Sequence, residues 1–506
     1  MSDSNQRKTG AILSYVAIII NTVIQFLYTP LLIRMLGQGE YGLYSLVSSI
    51  IAYLTVLDLG FGNAIVVYSS KYRARGENKK EKKLLGMFKL IYFIISCIAL
   101  LLGLLLFLNT ETFFGNSMSV LEINKLKIMM LILTFNLFIS FNFSIYQSVV
   151  NSYEKFIFQK IISIVGSILK PCIMIPLLFM GFKSISLTIV ITIVNIAIML
   201  SNYLYTKNKL RINIKYLGFD KKIFKEIIGY SFFIFLCTIV DQVNHNVDQF
   251  ILGTFSGSIA VSVYSLAMQI NLMFLQLSTA ISNVFLPKTT KMVASGVSTD
   301  ELTNEFIKVG RLQFYIMYLI CTGFVLVGMP FIRWWAGPGF DDSYYVTLLL
   351  IIPSTIPLIQ NMGLNIMQAM NKYKFKAITT SVMAIFNIII SIYLVSKFGA
   401  IGAAVGTCIA VVICNVILIN IYYYKEIKLD IIKFWKNIIV MLFKLLIPLV
   451  ITILIMCFTN LDGLINVIVY GGIYSILYII TAYFIVMNEY EKEIINKVLR
   501  KLRIIK

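Results

Sequence analysis

The chain has 506 residues, of which 59% are apolar and 13% charged, against about 25% charged in an ordinary soluble domain, and this excludes disorder and most water-soluble enzymes. A mean hydropathy of +0.86 leaves more apolar surface than soluble cores of this length could bury, so lipid must cover the remainder. The net charge of +21 raises nucleic acid as a partner, and the positions of the charges decide against it.

A bilayer core about 30 Å thick takes about 20 apolar residues per helix. Windows of that length recur fourteen times, at 10–36, 41–70, 84–108, 128–150, 160–180, 184–205, 226–253, 259–287, 312–335, 344–370, 377–396, 400–424, 437–458 and 463–487. The first run is long enough to span and lacks a small-residue cleavage site, so it reads as a helix and not as a removable signal peptide. Of the 44 Lys and Arg residues, 35 fall in one alternating set of connections and 4 in the other, which predicts cytoplasmic N- and C-termini. Orientation and attraction to the anionic inner leaflet account for the excess charge, and no nucleic-acid partner is needed.

The outer connections are short. The longest, 109–127, carries Glu111 and Glu122 at no catalytic spacing, and Gly337-Pro338-Gly339-Phe340-Asp341-Asp342 reads as a tight turn capped by Asp. The seven cysteines (97, 172, 237, 321, 408, 414 and 457) all lie in apolar stretches without a CxxC pair or a histidine cluster, so neither a disulfide framework nor a metal site is expected, and nothing calls for a cofactor.

The chain repeats itself at an offset of about 216–220 residues. Leu36-Gly37 matches Leu252-Gly253, Tyr44-Ser45-Leu46 matches Tyr264-Ser265-Leu266, and Leu57-Asp58-Leu59 matches Leu275-Gln276-Leu277. Lys71 and Gly76 match Lys291 and Gly296, Gln147 and Lys155-Phe156 match Gln368 and Lys374-Phe375, and Gly181 matches Gly399. Six helices per repeat is an even number, so both halves cross with the same polarity. The predicted fold is an all-α polytopic membrane protein of 14 transmembrane helices, in two pseudo-symmetric six-helix lobes plus two C-terminal helices. The domains are an N-lobe (1–206), a basic cytoplasmic linker (207–225), a C-lobe (226–424), helices 13 and 14 (425–487) and a basic cytoplasmic tail (488–506). Two similar lobes suit an alternating-access transporter.

With the stretch TPLLIRMLGQGEYGLYSLVSSIIAYLTVLDLGFGNA (Thr29 to Ala64) and a seventh helix reading VDQFILGTF (Val247 to Phe255), the chain resembles the Wzx-type polysaccharide repeat-unit flippases of the MATE-like MOP transporter superfamily. The resemblance covers nearly the whole chain. It implies a non-enzymatic protein of the bacterial inner membrane that moves an undecaprenyl-diphosphate-linked oligosaccharide to the outer leaflet. It also implies an O-antigen or capsule type of glycan, a coupling proton or sodium ion, and a polysaccharide polymerase and chain-length regulator as partners.

Charges inside spans sort by depth. Arg34 and Arg333 lie near outer helix ends and Lys89 and Lys444 near inner ends, where long side chains reach the headgroups. Lys170 and Asp58 lie deep, where a charge costs about 2.5–3.5 kcal/mol on insertion scales, so a wet cavity or a mutual ion pair is expected. Lys170, assisted by Arg34, is the candidate contact for a diphosphate or acidic sugar, with Asp58, Asn21 and Gln25 completing the cavity and Tyr28 extending the polar stripe of helix one. In helix seven Asp241, Asn244, His245 and Asp248 share one face, which suits a helix wall or a site for coupling ions or protons. Pro30, Pro171, Pro176, Pro353 and Pro357 are expected to kink their spans. The competing readings are a multidrug or cation antiporter, a lipid-linked peptidoglycan precursor flippase, and a membrane-embedded polymerase or glycosyltransferase. The last would need a larger aqueous loop or a convergent acid/base set.

Overall fold

The computed structural model describes residues 3–501 other than 371, 460 and 462, and every regular element among them is helical. Hydrocarbon offers no water to backbone N–H and C=O groups, and runs this long that lack strand alternation satisfy them by the internal ladder of a helix. The elements are α1 (Asp3–Leu36), α2 (Gln38–Thr55), α3 (Phe61–Ala74), α4 (Asn78–Leu108), α5 (Thr110–Phe114), α6 (Val120–Ser152), α7 (Phe156–Phe179), α8 (Ser184–Leu204) and α9 (Lys221–Phe255). They continue as α10 (Gly257–Ala294), α11 (Thr299–Trp335), α12 (Asp342–Ile359), α13 (Asn361–Ala369), α14 (Lys374–Val411), α15 (Ile419–Tyr422), α16 (Ile431–Phe458), α17 (Gly463–Thr481) and α18 (Glu489–Lys501).

Twelve stretches of the described residues are long and apolar enough to cross a membrane. The chain is a multi-pass membrane protein. The expectation of fourteen differs from this number in two places. Helix α9, the expected seventh span, runs for 35 residues and includes side chains outside those described, and it is not among the twelve. The stretch Lys374–Ile427 is counted once at 54 residues, although Gly399, with φ 53° and ψ −132°, breaks it in the middle. That conformation is left-handed and favours glycine. The chain doubles back there, and a Cβ on Gly402 would run into the Leu394 carbonyl, while Asn387 donates to Thr407 at 3.4 Å across the pair.

The repeat also marks the backbone. Left-handed glycines stand at corresponding helix boundaries as Gly76 and Gly296 (φ 70° and 68°) and Gly181 and Gly399 (87° and 53°), while Gly37 (79°) has its backbone counterpart in Gly257 (79°) and not in Gly253, the match offered by the sequence, which lies inside α9. The halves diverge inside their helices. The first breaks at a 3₁₀ turn, Val56–Asp58, between α2 and α3, where α10 runs through; the second breaks at Gln360 between α12 and α13, where α6 runs through.

By contacts the chain forms two compact units, Met1–Ser265 and Leu266–Lys506. The first keeps α9 and the start of α10 because hydrogen bonds tie their shared corner to earlier helices. Ser117 Oγ donates to the Gly253 carbonyl at 2.6 Å, and Ser258 Oγ donates to Glu122, whose carboxylate also closes a capping box with Ser119 at the start of α6. Glu40 is buried nearby with Lys125 and Ser184. The core of this unit lies where α3, α4 and α6 meet, around Phe88, Tyr92 and Ile145. Asp220 caps α9, and Lys83, at 3.0 Å, together with the first-turn N–H groups holds its carboxyl below the usual range. The second unit centres on Phe306, Tyr423 and Phe434, with Gln360, Asn420 and Trp435 joined by hydrogen bonds beside them.

Candidate functional site

Lys170 sits where α7 passes α6 and α8. Gln159, Ser163, Ser167 and Lys170 follow one another at helical spacing along a single face of α7, and with Gln147 of α6 and Ile198 of α8 they line a cavity of about 210 Å³. Gln159 Nε2 donates to Asn202 Oδ1 at 2.6 Å, and Ser167 Oγ donates to the Ser163 carbonyl at 2.9 Å. Lys170 itself makes no hydrogen bond or ion pair among the described residues. A single ammonium group beside amides and hydroxyls, with no carboxylate on the lining, can take an anion flanked by hydroxyl groups.

Asp58 occupies different ground. Its Oδ1 accepts from the Tyr92 hydroxyl at 2.8 Å and its Oδ2 from the Gly62 N–H at 3.5 Å, so it closes the turn between α2 and α3. Leu59 and Gly60 are both left-handed at that break, and the carboxylate sits at the N-terminus of α3, where negative charge is favoured. The ion pair between Asp58 and Lys170 offered by the sequence is not formed among the described residues.

On α9 the four polar residues differ in surroundings. Asp248 is buried and accepts from the Tyr264 hydroxyl at 2.6 Å, Asn244 is half-buried with an Oδ1 that has no hydrogen-bond partner, and Asp241 and His245 are exposed. An exposed carboxylate within a membrane helix requires water or a partner and not acyl chains. Helix α9 packs along α2 and against the Val56–Asp58 turn, which brings this stripe and the Asp58 break into one region of the first unit. On α1, which packs along α7, Asn21 is half-buried with an unpartnered Oδ1, while Gln25 and Arg34 are exposed. None of Asn21, Gln25, Arg34 and Asp58 lines the Lys170 cavity.

Three further charges predicted to reach the headgroups have specific partners. Arg333 grips Asp341 through two bonds of 2.9 and 2.8 Å, Lys89 donates to the Ile214 carbonyl at 3.4 Å and Lys444 to the Ile485 carbonyl at 3.3 Å. Arg333 holds the Asp341 carboxyl below its ordinary range. Gln147 was noted in the sequence only as a repeat match and Gln159, Ser163 and Ser167 not at all, although the spacing of the last three with Lys170 was there to be read. The side chains of Cys237 and of residues beyond 497 lie outside those described.

Comparison with known proteins locates the chain in a family. A Shigella flexneri protein described as an O-antigen transporter is 21% identical over 413 residues, covering 80% of this chain and 94% of its own length. A Haloferax volcanii protein described as a flippase, AglR, is 27% identical over 180 residues, 34% of this chain and 37% of its own. Among solved structures, the lipid II flippase MurJ in an inward closed conformation superposes with a TM-score of 0.72 at 20% identity, over 94% of this chain and 98% of MurJ. An inward-facing MATE multidrug resistance transporter of the MOP superfamily superposes at 0.63 with 12% identity, over 78% and 92% of the two chains. The family model described as polysaccharide biosynthesis protein matches residues 8–293, more than half of the sequence, and the chain belongs to that family.

Proposed function

We propose that the protein is a flippase that carries undecaprenyl-diphosphate-linked oligosaccharide repeat units from the inner to the outer leaflet of a bacterial plasma membrane, with both termini in the cytoplasm. It works without covalent chemistry. Family membership and the named activities of the Shigella and Haloferax relatives support the substrate class, and the MurJ-like fold supports the mode of action. The observation that carries the reading is the Lys170 cavity, an unpaired cation among amide and hydroxyl groups at membrane depth. An oligosaccharide supplies the matching hydroxyls, and a diphosphate or acidic sugar supplies the anion.

In this reading the six-helix repeats 1–206 and 226–424 alternate access to the two leaflets, and the linker 207–225 joins them. Lys170 binds the anion, Arg34 and the Asn21–Gln25 stripe of α1 meet the glycan, and Asp58 shapes the wall by holding the bend between α2 and α3. Asp241, Asn244, His245 and Asp248 form the coupling path for a proton or sodium ion. A polysaccharide polymerase and its chain-length regulator receive the product on the outer side. The multidrug reading is weakened because an exporter of cationic drugs wants a free carboxylate in the first lobe, and Asp58 is committed to Tyr92 and Gly62.

The decisive experiment follows radiolabelled lipid-linked oligosaccharide into inverted membrane vesicles. Wild-type protein translocates it; Lys170→Ala at equal protein level reduces the rate at least about tenfold, the loss of one charge-assisted contact, and Lys170→Arg restores much of it. Transport by Lys170→Ala at the wild-type rate would remove the cavity from the pathway.

A further inference from the structure

The connection between the two repeats is held against α4 along much of its length. Residues 210–220 run without helix. Leu210, Ile212 and Ile214 alternate with exposed Arg211, Asn213 and Lys215, and the apolar three pack on the core around Leu84, Leu85 and Phe88 of α4. At Gly86 the two backbones meet, because a Cβ there would lie 2.2 Å from the Lys215 carbonyl oxygen, and Lys89 donates to the Ile214 carbonyl at 3.4 Å. Asp220 then pairs with Lys83 at 3.0 Å and caps α9, so the segment is fastened at both ends and forms a strap across the start of α4.

Between those fastenings the strap carries an apolar tip. Gly218 turns the chain with φ 98°, in the left-handed region that favours glycine, and around it Tyr216 is 54% exposed, Leu217 55% and Phe219 42%. Phe219 leans on Phe224 with ring centroids 5.0 Å apart. A tip that faces water is ordinarily built from Gly, Asn, Asp and Ser, and here three large apolar or aromatic side chains surround the glycine.

Helix α4 sets the level of this tip. Gly86 and Lys89 lie in the first two turns of the apolar window 84–108, and exposed Lys79, Lys80 and Lys82 precede it. The strap therefore crosses where hydrocarbon gives way to headgroups. Lys215, Lys221 and Lys222 flank the tip and are exposed, while the two carboxylates nearby, Asp220 and Glu226, face Lys83 and Lys71.

We propose that Tyr216, Leu217 and Phe219 are sunk into the bilayer interface, with lipid as the partner that covers them and anionic headgroups as the partner of the flanking lysines. Level, apolar tip and sign of charge each fit that occupant. The two repeats are then joined by a piece anchored on α4 and in lipid, and not by a free tether.

The test uses the full-length protein in nanodiscs of phosphatidylcholine containing about 30% phosphatidylglycerol. Leu217→Trp and, separately, Tyr216→Trp are read as the emission added to that of Trp334, Trp335 and Trp435, and an unchanged thermal midpoint certifies the fold of each. Lipids brominated in the upper part of the acyl chain quench the added emission by about half, and aqueous acrylamide leaves it nearly unchanged. With K215Q/K221Q/K222Q added to Leu217→Trp, the bromine quenching weakens in these discs and stays as it was in phosphatidylcholine alone. Added emission that follows acrylamide and ignores the bromines overturns the insertion, and a lysine effect of equal size in both kinds of disc overturns the headgroup contact. Since no transport is measured, either failure leaves the flippase reading untouched.

Discussion

Asp58 shows how a single side chain can be conspicuous in sequence and hold an unexpected post. A carboxylate deep in an apolar run invites a ligand or an ion pair, and the structure gives it a hydroxyl and a backbone N–H at a helix break. Asp58→Asn preserves an acceptor for Tyr92 and for α3, so the folded protein and export should persist. Asp58→Ala leaves the Tyr92 hydroxyl and the N-terminus of α3 without their acceptor and should cost about 1–3 kcal/mol, seen as reduced abundance and a lower melting midpoint in detergent. Loss of export by Asp58→Asn at normal abundance would show that its charge serves the substrate. Lys170 was legible because a charge at mid-membrane depth stands out from its neighbours. Tyr92 was not, because 34 residues separate it from Asp58 and only the fold brings them together.

At the level of elements, the long apolar windows located the helices well, and periodicity failed where backbone conformation mattered. The break at Val56–Asp58 falls inside the single span-length stretch Gln38–Ala74, so hydropathy passes over it, whereas the stretch Asp342–Ile359 stops at the break at Gln360. Glycine at a helix corner is more telling, as the matched pairs at Gly76 and Gly296 show. The hairpin between the halves of α14 supplies a test. A methyl group on Gly402 has no room beside the Leu394 carbonyl, so Gly402→Ala should destabilise by about 1–3 kcal/mol despite alanine's higher helix propensity. Gly472 has open space around its Cβ position, and Gly472→Ala should leave the thermal midpoint unchanged or raise it. Equal midpoints for the two variants would mean that the two halves of α14 do not touch as described.

For the whole molecule, the asymmetry of 35 basic residues against 4 predicts sidedness as well as crossing. Alkaline phosphatase fused within 109–119 should be active, and the same reporter within 207–220 or at the C-terminus should be silent; the opposite pattern would reverse the orientation. The fold class and the repeat could be read from composition and spacing because both are spread over hundreds of residues. The contact boundary at Ser265 could not, since it depends on a few bonds such as Ser117 to Gly253 that join distant parts of the chain. The tight turn at Gly399 has a further consequence. With no residues to spare between its two halves, α14 offers neither a protease nor an antibody anything to grip, so limited digestion of intact cells should spare this portion while nicking the longer 109–119 connection.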